Sequence, residues 1–383
     1  MAAEEKKHGS GHPGGGPGEG EKPSMISLHH LLEEMTRKGA SDLHITSGIP
    51  PQYRIDGQIV PTDSEMVTPE MSEKLAYSLM KDEQRKRFEI TKELDLSFGI
   101  KGVSRYRCNV FMQRGAVAMA IRAIPYQFMS MEKLGLPKVV QDLASRPKGL
   151  VLITGPTGSG KSTTLAALIN KINEERRCHI VTIEDPIEYV HLHKRSIINQ
   201  RELNADTQSF PAALKYVLRQ DPDVIMVGEM RDLETIQAAL TIAETGHLVF
   251  ATLHTNSTYE SINRMVDVFP PSQQQQIYAQ LAFVLEGIVT QQLIPRLRGG
   301  GRVLVPEVLM VNPAVRAVVR EGKTHQIYTL MQAGQKYGMQ TMNQGLFTAW
   351  LNKMISLDEA MGRSGEPAEL EAMIQKSSGS RAA

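Results

Sequence analysis

At 383 residues the chain is longer than one typical domain, so two domains with terminal additions are expected. Apolar residues make up 41% and charged residues 22%, a globular composition, and Lys+Arg 43 against Asp+Glu 42 leaves a formal charge of +1. No global basic field therefore points to nucleic acid or an anionic membrane as partner, and no nucleic acid is expected.

Cys108 and Cys178 are the only cysteines, too few for a four-thiolate zinc cage or a disulfide framework, and a reducing cytosolic setting fits. No apolar run approaches the ~20 residues that cross a bilayer, and no signal-peptide core opens the chain. A soluble protein without a transmembrane segment is expected.

In chain order, residues 1–24 are dominated by Gly, Pro, Glu, Lys and His, which predicts a disordered leader. From Ile26, Leu28, Leu31, Leu32 and Met35 recur at helical spacing, and Lys38-Gly39 closes the segment. Short β-type runs follow: SDLHITSG, QYRIDGQIV, LDLSFGI, SRYRCNVFMQ and AVAMAIRAI, with one amphipathic helix over Pro69–Lys86 among them. Residues 25–124 thus read as a small α+β domain.

Residues 125–147, which carry LGLP and a helix ending at Arg146-Pro147, read as a hinge. Over 148–292, buried-strand runs (GLVLITG, CHIVTIED, PDVIMVGE, HLVFATLH) alternate with helical stretches, predicting a parallel sheet covered on both faces. Beyond Gln292 the chain reads as helical over 293–376, in PAVRAVVREG, THQIYTLMQAG, TMNQGLFTAWLNKM and SLDEAM. Residues 377–383 are expected to be a disordered tail.

Gly155-Pro156-Thr157-Gly158-Ser159-Gly160-Lys161-Ser162 matches G-x-x-x-x-G-K-[ST] in full, and the run continues into Thr163. It follows a buried-strand run and precedes a helical one, the context the motif requires. Its glycines let backbone N–H groups turn inward around phosphate oxygens, and the helix N-terminus adds partial positive charge. Lys161 then neutralises the β- and γ-phosphates of ATP and Ser162 ligates Mg²⁺.

In DVIMVGE, Gly228 stands where the usual magnesium-holding Asp would be, and Glu229 takes over at the strand end. It holds a magnesium-bound water or orients the attacking one; the alternative is a glutamate paired with Arg231 at a loop start. Glu184, Asp185 and Glu188 place three carboxylates at another strand end, for Mg²⁺ and water or as a solvated acidic turn.

His247 and His254 bracket LVFATLH; each is a structural histidine or a catalytic one, and the strand ends favour His254 as a γ-phosphate sensor. Arg105, Arg107, Arg114 and Arg122 lie on strand-like segments, either as ordinary exposed residues or as arginines lent to a phosphate from another domain or subunit.

This constellation resembles the secretion-ATPase superfamily over about Ile26 to Met361. Its four boxes occur in order: the phosphate loop, an Asp box at Ile183–His191, a Glu-bearing strand at Asp223–Asp232 and a His box at Gly246–His254. The resemblance implies an α/β architecture, with a PAS-like N-terminal α+β domain and a RecA-like P-loop core followed by a helical region.

It further implies that Lys161 and Ser162 hold nucleotide and Mg²⁺, while Glu184, Asp185, Glu188 and Glu229 serve hydrolysis and metal, with Asp185 and Glu229 joining Ser162 at the ion. His247 and His254 match the His-box positions, and Arg107 and Arg122 match the two arginines lent to the γ-phosphate.

Within the superfamily the chain is similar to type IV pilus retraction ATPases, the PilT family. It lacks the four-cysteine insert and larger N-terminal domain of assembly motors, and AVRAVVREGK at Ala314–Lys323 resembles the retraction-specific helix AIRNLIREGK, with departures at Val315, Ala317 and Val318. Its apolar face (Val315, Val318, Val319) and charged face (Arg316, Arg320, Lys323) are those of a docking helix.

The implied partners are a homohexamer, the inner-membrane pilus platform protein reached through that helix, and a paralogous retraction ATPase. The implied place is the cytoplasmic face of the inner membrane at the pilus base. Two other readings compete: an accessory ring subunit acting by binding, and a related secretion, assembly or DNA-translocating ATPase.

Overall fold

The computed structural model describes residues 26–55, 57–100, 103–124 and 128–379. The expected leader, 1–24, lies outside the described residues. The chain divides into two units, Met1–Ala123 and Ile124–Ala383.

The first unit contains α1 (Leu28–Arg37), β1 (Asp42–Ile45), β2 (Gln52–Ile55), β3 (Gln58–Pro61), α2 (Pro69–Ser78), α3 (Asp82–Thr91), β4 (Glu93–Ile100), β5 (Ser104–Gln113) and β6 (Ala116–Ile124). The strands form one six-stranded sheet in the order β3-β2-β1-β6-β5-β4. Helix α1 starts where the Ser27 hydroxyl accepts from the His30 amide at 3.4 Å, and its stripe Leu28, Leu31, Leu32 and Met35 is buried.

Two buried tyrosines tie α1 to the sheet: Tyr53 donates to the Leu31 carbonyl at 2.7 Å and Tyr106 to that of Leu32 at 2.9 Å. The single helix expected over Pro69–Lys86 is two. Lys81 is extended (φ −72°, ψ 161°) and its N–H is taken by the Gln84 side chain at 3.0 Å, so a new helix begins inside the apolar periodicity.

The second unit continues with α4 (Met131–Leu134), α5 (Lys138–Asp142), β7 (Gly149–Thr154), α6 (Lys161–Glu175), β8 (His179–Glu184), β9 (Ile197–Glu202), α7 (Phe210–Val217), β10 (Val224–Val227), α8 (Leu233–Glu244), β11 (Leu248–Leu253), α9 (Thr258–Asp267), α10 (Pro271–Val284), β12 (Leu285–Pro295) and β13 (Arg302–Met310). It ends with α11 (Pro313–Arg320), α12 (Ile327–Ala333), α13 (Met342–Leu351), α14 (Leu357–Arg363) and α15 (Pro367–Gly379).

Its seven-stranded sheet has the order β13-β12-β7-β11-β10-β8-β9. Every pairing is parallel except β12 with β13. Strands β7, β10 and β11 are buried at every residue, which explains their continuous apolar runs: helices cover both faces.

Met131, Leu136, Val140 and Leu143, from the segment read as a hinge, are buried in this unit's core.

The region after Gln292 is not all helical. Strand β12 runs on to Pro295 and β13 returns antiparallel, placing Val303, Val305, Val308 and Leu309 in the interior. Pro306 is tolerated because β13 is an edge strand, where a missing N–H costs no ladder bond. At the other end, α15 extends through Gly379, so residues 377–379, expected in a disordered tail, are helical. Residues 380–383 lie outside the described residues.

Helix α11 also differs from its sequence reading. Val315 and Val319 are fully buried in the core, and Val318 packs against it. Arg316 donates to the carbonyls of Ala282 (2.8 Å) and Phe283 (2.9 Å) and to Glu286 (2.7 Å). The apolar face therefore holds the helix to its own domain and is not a docking face. Among the described residues no helix is long and apolar enough to cross a membrane.

Glu307 on β13 is buried and accepts from the first amides of two helices, Thr258 of α9 at 2.7 Å and Met342 of α13 at 3.3 Å. Burial pushes its carboxyl above the usual range, and those N–H groups pull against that. Glu307→Ala orphans both amides and should destabilise this unit by roughly 2–4 kcal/mol. Thermal melting checks it, and an unchanged midpoint would mean water replaces the carboxylate.

Candidate active site

The strand-to-helix turn between β7 and α6 has the geometry its glycines allow. Gly155, Gly158 and Gly160 sit at φ +136°, +78° and +90°. At Gly155 a Cβ would lie 2.4 Å from the Gln291 carbonyl oxygen and 2.7 Å from Ser159 Oγ, so only glycine fits against β12. Among the described residues the buried Ser159 hydroxyl has no hydrogen-bond partner.

Lys161 turns its amine back onto the carbonyls of Gly155 (2.8 Å) and Pro156 (3.0 Å). Burial lowers its pKa below the usual lysine value, with the Glu229 charge pulling the other way.

Beneath the turn lies a buried polar ladder. Thr154 and Thr290 hydroxyls meet at 2.7 Å, and Gln291 Nε2 donates to Thr164 Oγ1 at 2.7 Å, joining β7, β12 and α6. Leu293 of β12 lies 3.5 Å from where a Gly160 Cβ would be.

A cavity of about 610 Å³ opens over the turn at the carboxyl edge of the sheet, lined by Gly158, Lys161, Ser162, Glu184, Glu229 and His254 among others. Asp185, Glu188, Thr157, Gly160 and Thr163 also line it. Of the loop residues, Gly155, Pro156 and Ser159 are not among those that line it.

Glu229 follows β10 and is fixed by Arg231, whose Nε and Nη2 donate at 2.5 and 2.6 Å, with His254 Nε2 at 3.3 Å. Burial raises its carboxyl, but Arg231 and then His254 outweigh this and hold it below the usual range. The pairing with Arg231 and the place in the cavity are thus both true of Glu229.

Gly228 has a steric reason. A Cβ there would lie 3.1 Å from the Ile183 carbonyl oxygen and 3.2 Å from Glu184 Cα, because β10 and β8 close together where they end.

Glu184, 6% exposed, is the opposite case. Burial pushes its carboxyl up to about 7, against hydrogen bonds from Thr182 Oγ1 (2.6 Å) and Gln200 Nε2 (3.1 Å). Gln200, on β9, also donates to the Tyr189 carbonyl (2.8 Å) and accepts from the His191 amide (2.7 Å), clamping the loop that carries Asp185 and Glu188. Tyr189 in turn meets Thr163 Oγ1 at 3.0 Å.

His191 stacks on Phe128 with ring centroids 4.5 Å apart, and burial lowers its pKa to about 4, so it is neutral.

His247 does not join this group. It precedes β11 at the amino edge of the sheet, beside Gly149, whose amide donates to its carbonyl at 3.0 Å. Six strand residues of ~3.3 Å each separate it from the phosphate turn. In the first unit, Arg122 Nε donates to Asp42 at 2.8 Å, whereas Arg107 on β5 is exposed and has no ion pair among the described residues.

Gln200, Leu293 and Arg302 were not singled out as site residues, because they come from β9 and the β12–β13 hairpin, outside the motifs; Tyr189 lies within the Asp box but was given no role of its own.

A family model described as type II/IV secretion system protein matches residues 18–300. The chain is 44% identical to the type IV pilus retraction ATPase PilT of Pseudomonas aeruginosa over 342 residues, 89% of this chain and 99% of the relative. It is 40% identical to the type IV pilus ATPase PilU of the same organism over 93% of this chain and 94% of the relative. A crystal structure of the pilus retraction motor PilT with bound ADP superposes with a TM-score of 0.85 at 50% identity, covering 91% and 99% of the two chains.

Putting the commoner acid back, Gly228→Asp, should push the β10 terminus away from β8 by a few tenths of an ångström, cost about 1–3 kcal/mol and lower nucleotide turnover. Full turnover at wild-type stability would show that the two strand ends separate freely.

Proposed function

The chain belongs to the type II/IV secretion system family and, within it, to the PilT branch of pilus-retraction ATPases, and from this we propose that it hydrolyses ATP at the carboxyl edge of its sheet to drive type IV pilus retraction. The observation that carries the reading is the meeting, in one cavity, of a glycine cradle with Lys161 on one side and a fixed, ionised Glu229 beside His254 on the other.

Each residue has a task its surroundings support. The turn amides and the α6 N-terminus hold phosphate oxygens, and Lys161 exchanges two carbonyls for the β- and γ-phosphates. Glu229, kept ionised by Arg231, accepts a hydrogen bond from the attacking water and orients it. His254 stands next to it as the phosphate sensor.

The donor set fits Mg²⁺. Ser162 lies in the first turn of α6, and Asp185, Glu188 and Glu229 line the same space as hard oxygen ligands. Among the described residues no group of three His, Cys, Asp or Glu side chains is placed to hold a metal ion alone, so the ion would be shared with the nucleotide and water. When bound, it neutralises charge on the β- and γ-phosphate oxygens.

The motor is a homohexamer at the cytoplasmic face of the inner membrane, acting on the pilus platform protein. Arg107 and Arg122 serve the neighbouring subunit's γ-phosphate; the exposed Arg107 is ready to do so, and Arg122 exchanges Asp42 for phosphate. The platform contact falls to the polar side of α11, since its apolar side is buried.

Two measurements test the reading. Glu229→Gln should bind ATP as wild type does and lose turnover by about 10²–10⁴-fold, and unchanged turnover would place the catalytic carboxylate elsewhere. Deleting the gene should leave cells with abundant but immobile pili, restored by wild type and not by Lys161→Ala. Bald cells would make it an assembly motor instead.

A further inference from the structure

Three long basic side chains line the nucleotide cavity, Lys161, Arg231 and Arg302, and their charges are committed differently. Lys161 is held on two loop carbonyls. Arg231 spends both arms of its fork on Glu229. Arg302 has no carboxylate partner among the described residues; its Nη1 reaches only the Gly158 carbonyl, at 3.5 Å, the limit of a hydrogen bond.

The same cavity is lined by five carboxylates, Glu184, Asp185, Glu188, Glu229 and Asp232. A polyanion entering it needs positive charge that is not already spent.

Backbone geometry explains how Arg302 gets there. Gly299, Gly300 and Gly301 all lie at positive φ (+80°, +69° and +76°), a turn side-chain-bearing residues resist, and it folds β13 back along β12 so that Arg302 pairs with Pro295. On the same hairpin Leu293 packs beside Gly160, so the hairpin flanks the phosphate turn and carries the guanidinium to its rim.

A guanidinium prefers a phosphate, which it grips with two N–H groups and opposite charge, to one long contact with a neutral carbonyl.

We propose that Arg302 is a nucleotide-binding residue, its guanidinium leaving the Gly158 carbonyl to pair with a phosphate of the bound nucleotide and close the cavity from the β12–β13 hairpin. The proposal rests on the ATPase reading and adds to the phosphate loop a cation from the neighbouring β12–β13 hairpin, at the same carboxyl edge of the sheet.

Equilibrium titration of the full-length protein with a fluorescent ADP, in wild type, Arg302→Ala and Arg302→Lys, tests it. Arg302→Ala should weaken ADP about tenfold or more, with Arg302→Lys in between, and the deficit should shrink as KCl is raised. KM for ATP should rise in Arg302→Ala while kcat at saturation changes far less.

Wild-type affinity in Arg302→Ala would overturn the proposal. So would an equal, salt-independent loss in both variants, which would make Arg302 a packing strut for the turn. A wild-type protein that bound no nucleotide would instead remove the ATPase reading beneath it.

Discussion

The nucleotide site depends on one steric constraint: the phosphate turn lies directly on the backbone of β12. The carbonyl of Gln291 leaves no room for a Cβ at position 155, and the neighbouring Thr290 and Gln291 side chains bond to β7 and α6. The cradle is therefore as much a product of β12 as of the motif itself. Without that strand beside β7, the loop glycines would have freedom but no fixed shape.

A second division runs through the acidic residues. Glu229 and Glu184 end neighbouring strands and line one cavity, yet their surroundings push them apart: an arginine fork keeps Glu229 ionised, and burial lifts Glu184 to about 7. Two carboxyls with opposed protonation preferences can hold different roles in one reaction.

The features fixed by local chemistry were legible in the sequence. The phosphate turn needs glycine, lysine and serine at set spacing, and strands buried on both faces announce themselves as apolar runs, as in β7, β10 and β11. The sheet's edges were not legible. Strand β9 has a polar, half-exposed sequence, and β13 contains Pro306, which reads as a break until its edge position is known.

The α11 stripe was read correctly as amphipathic, but a periodicity does not say whether its apolar side faces a partner or its own core. His247 and His254 differ by the length of one strand, a separation that places them at opposite ends of the sheet.

Strand β13 begins with Arg302 at the phosphate turn and carries Glu307 at the starts of α9 and α13. These two positions are ~17 Å apart along a single extended backbone. An extended chain is nearly inextensible, so β13 works as a tie rod. Tension on the C-terminal helices passes along it to the rim of the nucleotide cavity with little lost to stretching, while compression is left to the helices packed around it.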